Sequence, residues 1–409
     1  MHVLLIHQAF VSPSEAGGTR HFELGQSLLK AGYRFTIVAG DVSYLTGKSV
    51  LGNRAVITEQ EYKGIRVLRA YTYPSIHRGF AWRIVSFLSF MVSSVYAGMK
   101  AGPIDLVIGT SPPIFQAVSA WFVAALRKRP FLLEIRDLWP EFAIDMGVLK
   151  NPVLVGLSRW LEAFLYSRAD HILVNSPAYR DYVHSKGIAL EKISLIANGV
   201  DPTLFDPLST GDNIRQELAL GKDCFVVTYA GALGMANDIP TALRAAERLR
   251  DHKNIRFLFV GDGKEQPNLK KMAEGKKLSN VTFTGARPKV DMPAILAASN
   301  ACLAILMDIP MFRTTYPNKV FDYMAAARPT LLAIDGVIRE VLEAAGGGLF
   351  VPPGDDEALA AAVLKLSTNP DLAREMGAAA RSYVTHRFNR IDQAQEFVAL
   401  VNRLRAEAS

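Results

Sequence analysis

The chain has almost no cysteine. Its two residues, Cys224 and Cys302, are too few for a disulfide scaffold, and neither sits in a metal-ligand spacing. Both fall in apolar, strand-like runs, as expected of a reducing compartment. A leader is not evident: Met1-His2-Val3-Leu4-Leu5-Ile6 has no basic region and no small-residue cleavage site, and reads as a first β-strand. The longest apolar stretch, Phe80 to Met99, is long enough to cross a bilayer but contains Arg83, several serines and a glycine. A buried or interfacial helix is the preferred reading and a span the alternative. No aromatic-basic module of the nucleic-acid-binding kind occurs, nor any short repeat or low-complexity tract.

What is present is the composition of a folded enzyme: 409 residues, 50% hydrophobic and 21% charged. That length suits two domains. The net charge of +7 is unevenly placed: residues 1–200 carry 21 Lys and Arg against 14 Asp and Glu, whereas residues 201–409 carry 25 of each. The first half should therefore face an anionic partner such as phosphate or lipid head groups, unless its surface is simply basic.

Strand-like and helix-like segments alternate throughout, the pattern of parallel sheets covered by helices. Strands are expected at 3–8, 35–39, 65–68, 106–109, 131–135, 171–175 and 193–196. After a turn-rich linker at Asp201–Asp223 they resume at 225–230, 256–260, 281–284, 301–306 and 330–333. This predicts two Rossmann-like α/β domains, residues 1–205 and 206–389, with a final helix in 390–409 packing back on the first. In such sheets ligands bind beyond the carboxyl ends of the strands.

Several junctions carry chemistry. Gly17-Gly18-Thr19-Arg20 joins the first strand to its helix; the glycines allow close backbone approach, and Arg20 is placed to pair with a phosphate. The three-glycine dinucleotide fingerprint is absent, which disfavours a dehydrogenase. At the end of a predicted strand, Arg136-Asp137-Leu138-Trp139-Pro140-Glu141 offers Asp137 or Glu141 to take a proton from a hydroxyl. The plainer alternative is a structural pair of Arg136 with Asp137. Asn198-Gly199-Val200-Asp201, Gly231 with Gly234, and Gly261-Asp262-Gly263 are further strand-to-turn junctions. In Pro317-Asn318-Lys319-Val320-Phe321-Asp322 a helix start and Lys319 suit a diphosphate, with Asp322 one turn on to reach a ribose hydroxyl.

In order and spacing these motifs resemble glycosyltransferase family 4, along nearly the whole chain. The similarity is to the branch that builds O-antigen, capsule and colanic-acid-type polysaccharides on a lipid carrier. The resemblance implies a GT-B fold, two Rossmann-like α/β/α domains facing a central cleft, with the nucleotide-sugar in the C-terminal domain and the acceptor in the N-terminal one. It implies transfer with retention, no divalent metal and no cofactor beyond the nucleotide-sugar, with uridine as the expected base. Gly17, Gly18 and Lys319 would hold the diphosphate, Asp322 the ribose, and Arg287 would lie near the base. This chain departs from the family at three places. Arg136 stands where many members have the catalytic histidine. Met235 and Ala236 replace a common Arg/Lys pair. Thr314 and Asp322 replace the two glutamates of the family motif.

The expected activity is transfer of a sugar from a nucleotide-sugar to a lipid-linked saccharide, at the inner face of the cytoplasmic membrane. Arg78, Trp82 and Arg83, beside the apolar helix, are the expected contacts with acceptor and anionic lipid. No nucleic acid partner is expected. The rival readings are a non-hydrolysing sugar-nucleotide epimerase and a non-catalytic nucleotide-sugar-binding homologue.

Overall fold

The computed structural model describes the chain except for residue 16, residues 44–46, 48, 51, 53–54, 75–78 and 408–409, and the side chains of residues 80 and 81. Two compact units are present: residues 1–12, 19–197 and 392–409 in the first, 13–18 and 198–391 in the second.

The first unit is built on β1 (His2–Ile6), β2 (Arg34–Gly40), β3 (Ile57–Tyr62), β4 (Ile65–Ala70), β5 (Leu106–Ser111), β6 (Phe131–Ile135), β7 (His171–Val174) and β8 (Ile193–Leu195). They form one sheet in the order β3-β4-β2-β1-β5-β6-β7-β8, parallel except for the edge strand β3. Val3-Leu4-Leu5-Ile6 is buried on both faces, as a central parallel strand must be, with Leu5 flanked by Ile37 and Ile108. The strand β3 escapes the hydrophobic pattern because Glu59 and Glu61 interrupt it. It is fixed by the tight turn to β4, where Lys63 and Gly64 both take positive φ. Helix Arg390–Glu407 returns to this unit. Its Phe397, Leu400, Val401 and Leu404 share a core with Leu5, Ile37, Leu132 and Leu173.

The second unit holds β9 (Phe225–Ala230), β10 (Ile255–Val260), β11 (Val281–Gly285), β12 (Ala301–Ile305), β13 (Thr330–Ala333) and β14 (Gly348–Phe350). Their order is β11-β10-β9-β12-β13-β14, all parallel. Alternate residues feed two cores: Val226, Leu258 and Leu332 on one face, Val227, Phe257 and Leu331 on the other.

The second unit begins at Asn198, earlier than the 205/206 boundary expected from the linker. Val200 pairs with Asn389, and both Val200 and Phe205 pack with Val320 and Phe321. The turn-rich composition of 201–223 marks loop chemistry, but the core of the second unit already reaches into it. The glycine segment 13–18, expected in the first domain, also belongs to the second unit.

Candidate active site

Each sheet reverses its strand order once: between β1 and β5 in the first unit, between β9 and β12 in the second. The carboxyl ends of the strands at such a reversal are where doubly wound sheets bind their ligands.

In the second unit that place is occupied by Gly231, directly after β9. Gly231 has φ 154°, and a Cβ there would lie 3.0 Å from the Lys319 Nζ. Gly261, directly after β10, cannot carry a side chain at all, because its Cβ would fall 1.8 Å from the Gly231 carbonyl oxygen. The two loops are stitched together: Gly231 N–H donates to Val260 O at 2.8 Å and Leu233 N–H to Asp262 O at 2.9 Å. The Asp262 carboxylate accepts from the Gly263 N–H at 2.7 Å, so it shapes its own turn. Gly234 borders open space.

Helix Asn318–Ala325 points its start at this loop pair. Lys319 Nζ donates to the Tyr229 hydroxyl at 2.7 Å and to Asn237 Oδ1 at 3.2 Å, and lies 4.0 Å from the Tyr229 ring centroid. Among the described residues no carboxylate pairs with it. Burial lowers the ammonium to about 7, although the residue keeps an opening to solvent. The segment 13–18 closes on the same helix: a Cβ on Gly18 would lie 4.0 Å from Asn318 Nδ2, and Glu15 O accepts from the Lys289 N–H at 3.3 Å. Gly17, with φ 147°, makes the preceding bend. Asn198 anchors the approach to the helix, donating to Tyr316 O at 2.7 Å.

Two residues expected here are otherwise engaged. Asp322 is paired with Lys289 at 2.5 Å, so its carboxylate meets a cation and not an open ribose site. Arg287 is ion-paired with Glu217.

In the first unit the corresponding place holds His7, after β1, and Thr110, on β5, both buried. His7 Nδ1 and Thr110 Oγ1 are 2.9 Å apart, and His7 Nε2 is 3.1 Å from an Arg136 guanidinium nitrogen. A guanidinium only donates, so Nε2 must accept and Nδ1–H must donate to Thr110. Burial, with His21 and Arg136 nearby, lowers His7 well below its ordinary value and keeps it neutral. Arg136 is thus aimed by a histidine that the strand pattern had absorbed into β1.

Next to it, Asp137 keeps solvent access but is walled by enough protein that burial raises its carboxyl to about 6, against the pull of Arg136 and the Tyr179 hydroxyl at 3.5 Å. Asp137 lines a small recess with Ser111, Trp139, Glu162 and Tyr166. Glu141 accepts two hydrogen bonds from Arg159, at 2.8 and 3.0 Å, and is held in that pair.

Arg20 corrects the sequence reading. It is 4% exposed, and its nitrogens donate to Glu134 Oε1 at 3.0 Å, Ala197 O at 2.9 Å and Ile196 O at 2.8 Å. His21 takes the other Glu134 oxygen at 2.5 Å. Burial alone would raise Glu134, but His21 and Arg20 hold it well below the usual carboxylate range. This arginine serves the core and not a phosphate.

Residues 16–199 match the family model of the glycosyl transferase 4-like domain, and residues 211–383 that of the group 1 glycosyl transferases. Together they take in most of the chain, in the order of the two units. The chain belongs to glycosyltransferase family 4. The probable glycosyltransferase WbjE of Pseudomonas aeruginosa is 26% identical over 337 residues, 81% of this chain and 82% of that protein. The putative colanic acid biosynthesis glycosyl transferase WcaI of Escherichia coli K12 is 24% identical over 306 residues, 72% and 75%. The solved structure of Anabaena HepE in complex with UDP and glucose matches with a TM-score of 0.74 at 18% identity, covering 98% of this chain and 99% of that one. The fold is GT-B.

In this glycosyltransferase the second unit therefore gathers Gly17, Gly18, Asn198, Gly231, Gly261 and Lys319 around one helix start. Asp262 and Gly263 buttress it, and Asp322 is reached through Lys289. Sequence reading missed His7, Lys289 and Asn237. Only His7 left a signal, a histidine at the carboxyl end of the first strand. Arg78 lies outside the described residues. Trp82 is 45% exposed and stacks on Tyr73 at 5.8 Å, with Arg83 half-buried beside it. Among the described residues no group of three or more His, Cys, Asp or Glu is placed to hold a metal.

Proposed function

We propose that this glycosyltransferase moves a sugar, with retention, from a UDP-sugar to a lipid-linked saccharide in the assembly of a surface polysaccharide, without a metal. The observation that carries the donor assignment is Lys319: an enclosed ammonium, on neutral partners, at a helix start between glycine-lined loops. An anion there gains both the charge and the helix dipole. A diphosphate matches two loops of close backbone approach better than a monovalent anion does. The UDP bound by HepE and the colanic acid assignment of WcaI support the same donor class and pathway type.

In this reading the acceptor hydroxyl attacks the anomeric carbon on the face from which the diphosphate leaves. Its proton passes to a departing phosphate oxygen, and Lys319 with the neighbouring amides takes up the charge on the leaving group. Asp137 orients the acceptor or stabilises positive charge on the sugar ring. Arg136, aimed by His7, supports it. We place the enzyme in the cytoplasm, peripheral on the membrane, in keeping with the basic first half of the chain.

A thermal-shift series with UDP, GDP and a panel of their sugars tests the donor, because a ligand that binds only the folded state raises its melting temperature. UDP and one UDP-sugar should each give a rise. No response to any of them removes the donor assignment.

A further inference from the structure

Helix Phe80–Lys100 is amphipathic in an unusual sense. Ser86, Phe90, Ser94 and Ala97 are buried, while Trp82, Val85, Leu88, Val92 and Tyr96 are exposed. The exposed five recur at three or four residues, one continuous helix face. Phe90 apart, the residues it buries are small or carry a hydroxyl, while five large apolar side chains go outward. Helix Ile114–Arg127 lies beside it, joined by Phe87 and Phe115 at 6.0 Å, and exposes Phe122 and Leu126. Helix Pro152–Arg168 follows, joined through Phe164, whose ring lies 4.8 Å from Trp121 and 5.6 Å from Trp160. It buries Leu165 and Tyr166 but exposes Val153, Leu157 and Trp160, the last by 60%.

The exposed charge on these helices has one sign. The first two contain no acidic residue, and the third contains only Glu162, which is buried on the hydroxyls of Tyr166 and Tyr182. Exposed Lys100, Lys128, Arg129 and Arg168 stand at or just past the C-terminal ends of the three helices. A second copy of this chain would set those cations against each other, whereas an anionic lipid surface complements them. The long helix does not cross: Ser93 Oγ donates to Tyr71 O at 2.6 Å, and Ser119 Oγ of its neighbour donates to Met91 O at 3.0 Å. Its inward face is therefore committed to the fold.

We infer that these three helices form one monotopic surface that inserts apolar side chains into the interface of an anionic bilayer. The inference rests on the membrane-side acceptor reading and gives it a contact area, held by insertion as well as by charge.

The test is cosedimentation with phosphatidylcholine vesicles, with and without phosphatidylglycerol, at about 0.1 M and about 1 M salt, where screening lengths are about 10 and 3 Å. The wild type should pellet with anionic vesicles, keep a substantial bound fraction at high salt, and show a blue shift of tryptophan emission. Leu157→Glu with Trp160→Glu, and separately Val92→Glu with Tyr96→Glu, should each lower partitioning at least tenfold while leaving the thermal response to UDP intact. A wild type that stays in the supernatant overturns the surface, as does binding that vanishes at high salt. A lipid-free dimer that these substitutions dissociate assigns the face to self-association and also overturns it. Vesicle binding by a protein that ignores UDP leaves the surface standing and removes the donor assignment alone.

Discussion

Arg20 and Lys319 are both enclosed cations next to glycine-bearing loops, and in the sequence they look alike. In the structure they are opposites. Arg20, in the first unit, meets a carboxylate and two carbonyls, so its charge is already answered. Lys319, in the second unit, has a phenol and an amide, so its charge is not. A buried charge with a buried counter-charge belongs to the fold; one lacking it is held in readiness for a ligand. Substituting each by methionine should separate the two roles. Arg20→Met strands Glu134 and should cost about 3–5 kcal/mol of stability, read as a large fall in melting temperature, while the protein that still folds binds UDP normally. Lys319→Met should lose about 30- to 100-fold in UDP affinity, the worth of one charge-assisted contact of about 2–3 kcal/mol. It should melt no lower than wild type: burial holds this lysine below its ordinary value, so the unfolded chain takes up its proton more readily and the ammonium is a cost to the fold. If both variants lose UDP in proportion to lost stability, the distinction between them is false.

The same contrast explains what could be read in advance. The two sheets were legible because central parallel strands such as Val3–Ile6 and Phe225–Ala230 are hydrophobic on both faces and end at glycine or polar junctions. The edge strands β3 and β14 were not, one interrupted by Glu59 and Glu61, the other three residues long after a glycine run. In the second unit the glycines and Lys319 lie on the loops and helix start that follow consecutive strands, and local pattern names such places. What it cannot name is a partner distant in sequence. The pairs Arg20–Glu134, Lys289–Asp322 and His7–Arg136 join residues 33 to 129 positions apart, and each changed the role that local spacing suggested.

Asp137 and Glu141 sharpen the comparison inside the first unit, with a smaller expected effect. Both were candidates for the proton-handling carboxylate. Glu141 is clamped by Arg159, whereas among the described residues no guanidinium forks onto Asp137, which burial raises to about 6. A group with that value is ionised above pH 6 and protonated below it. If transfer needs the carboxylate, kcat/KM should fall below pH 6 in the wild type, and that acid limb should be missing from Asp137→Asn, whose turnover is about 10- to 100-fold lower at every pH. Because the folded value lies above the ordinary one, ionising Asp137 opposes folding as pH rises through 4 to 6, so Asp137→Asn should melt at the same temperature or higher at neutral pH. An unchanged acid limb in Asp137→Asn would assign it to another group.

The smallest effect tests the empty state of Lys319 directly. Among the described residues, the groups facing its ammonium are the Tyr229 hydroxyl, which burial raises and keeps neutral, the uncharged Asn237 amide and the Gly231 backbone. None of these can supply negative charge, so at pH 8 an ammonium lowered to about 7 is mostly deprotonated when no ligand is present. A diphosphate reverses the balance by placing negative charge beside it, and the bound state regains the proton. Binding of UDP at pH 8 should then take up about one proton, and affinity should weaken by at most about tenfold per pH unit above 7. The terminal phosphate of UDP, with a value near 6, is already ionised there and does not contribute. Calorimetry in two buffers of different ionisation enthalpy reads this number as a slope. A slope of zero in the wild type means that the empty site already holds a charged lysine, with an anionic neighbour that cancels the contrast with Arg20. A slope in the wild type that survives in Lys319→Met places the titrating group elsewhere.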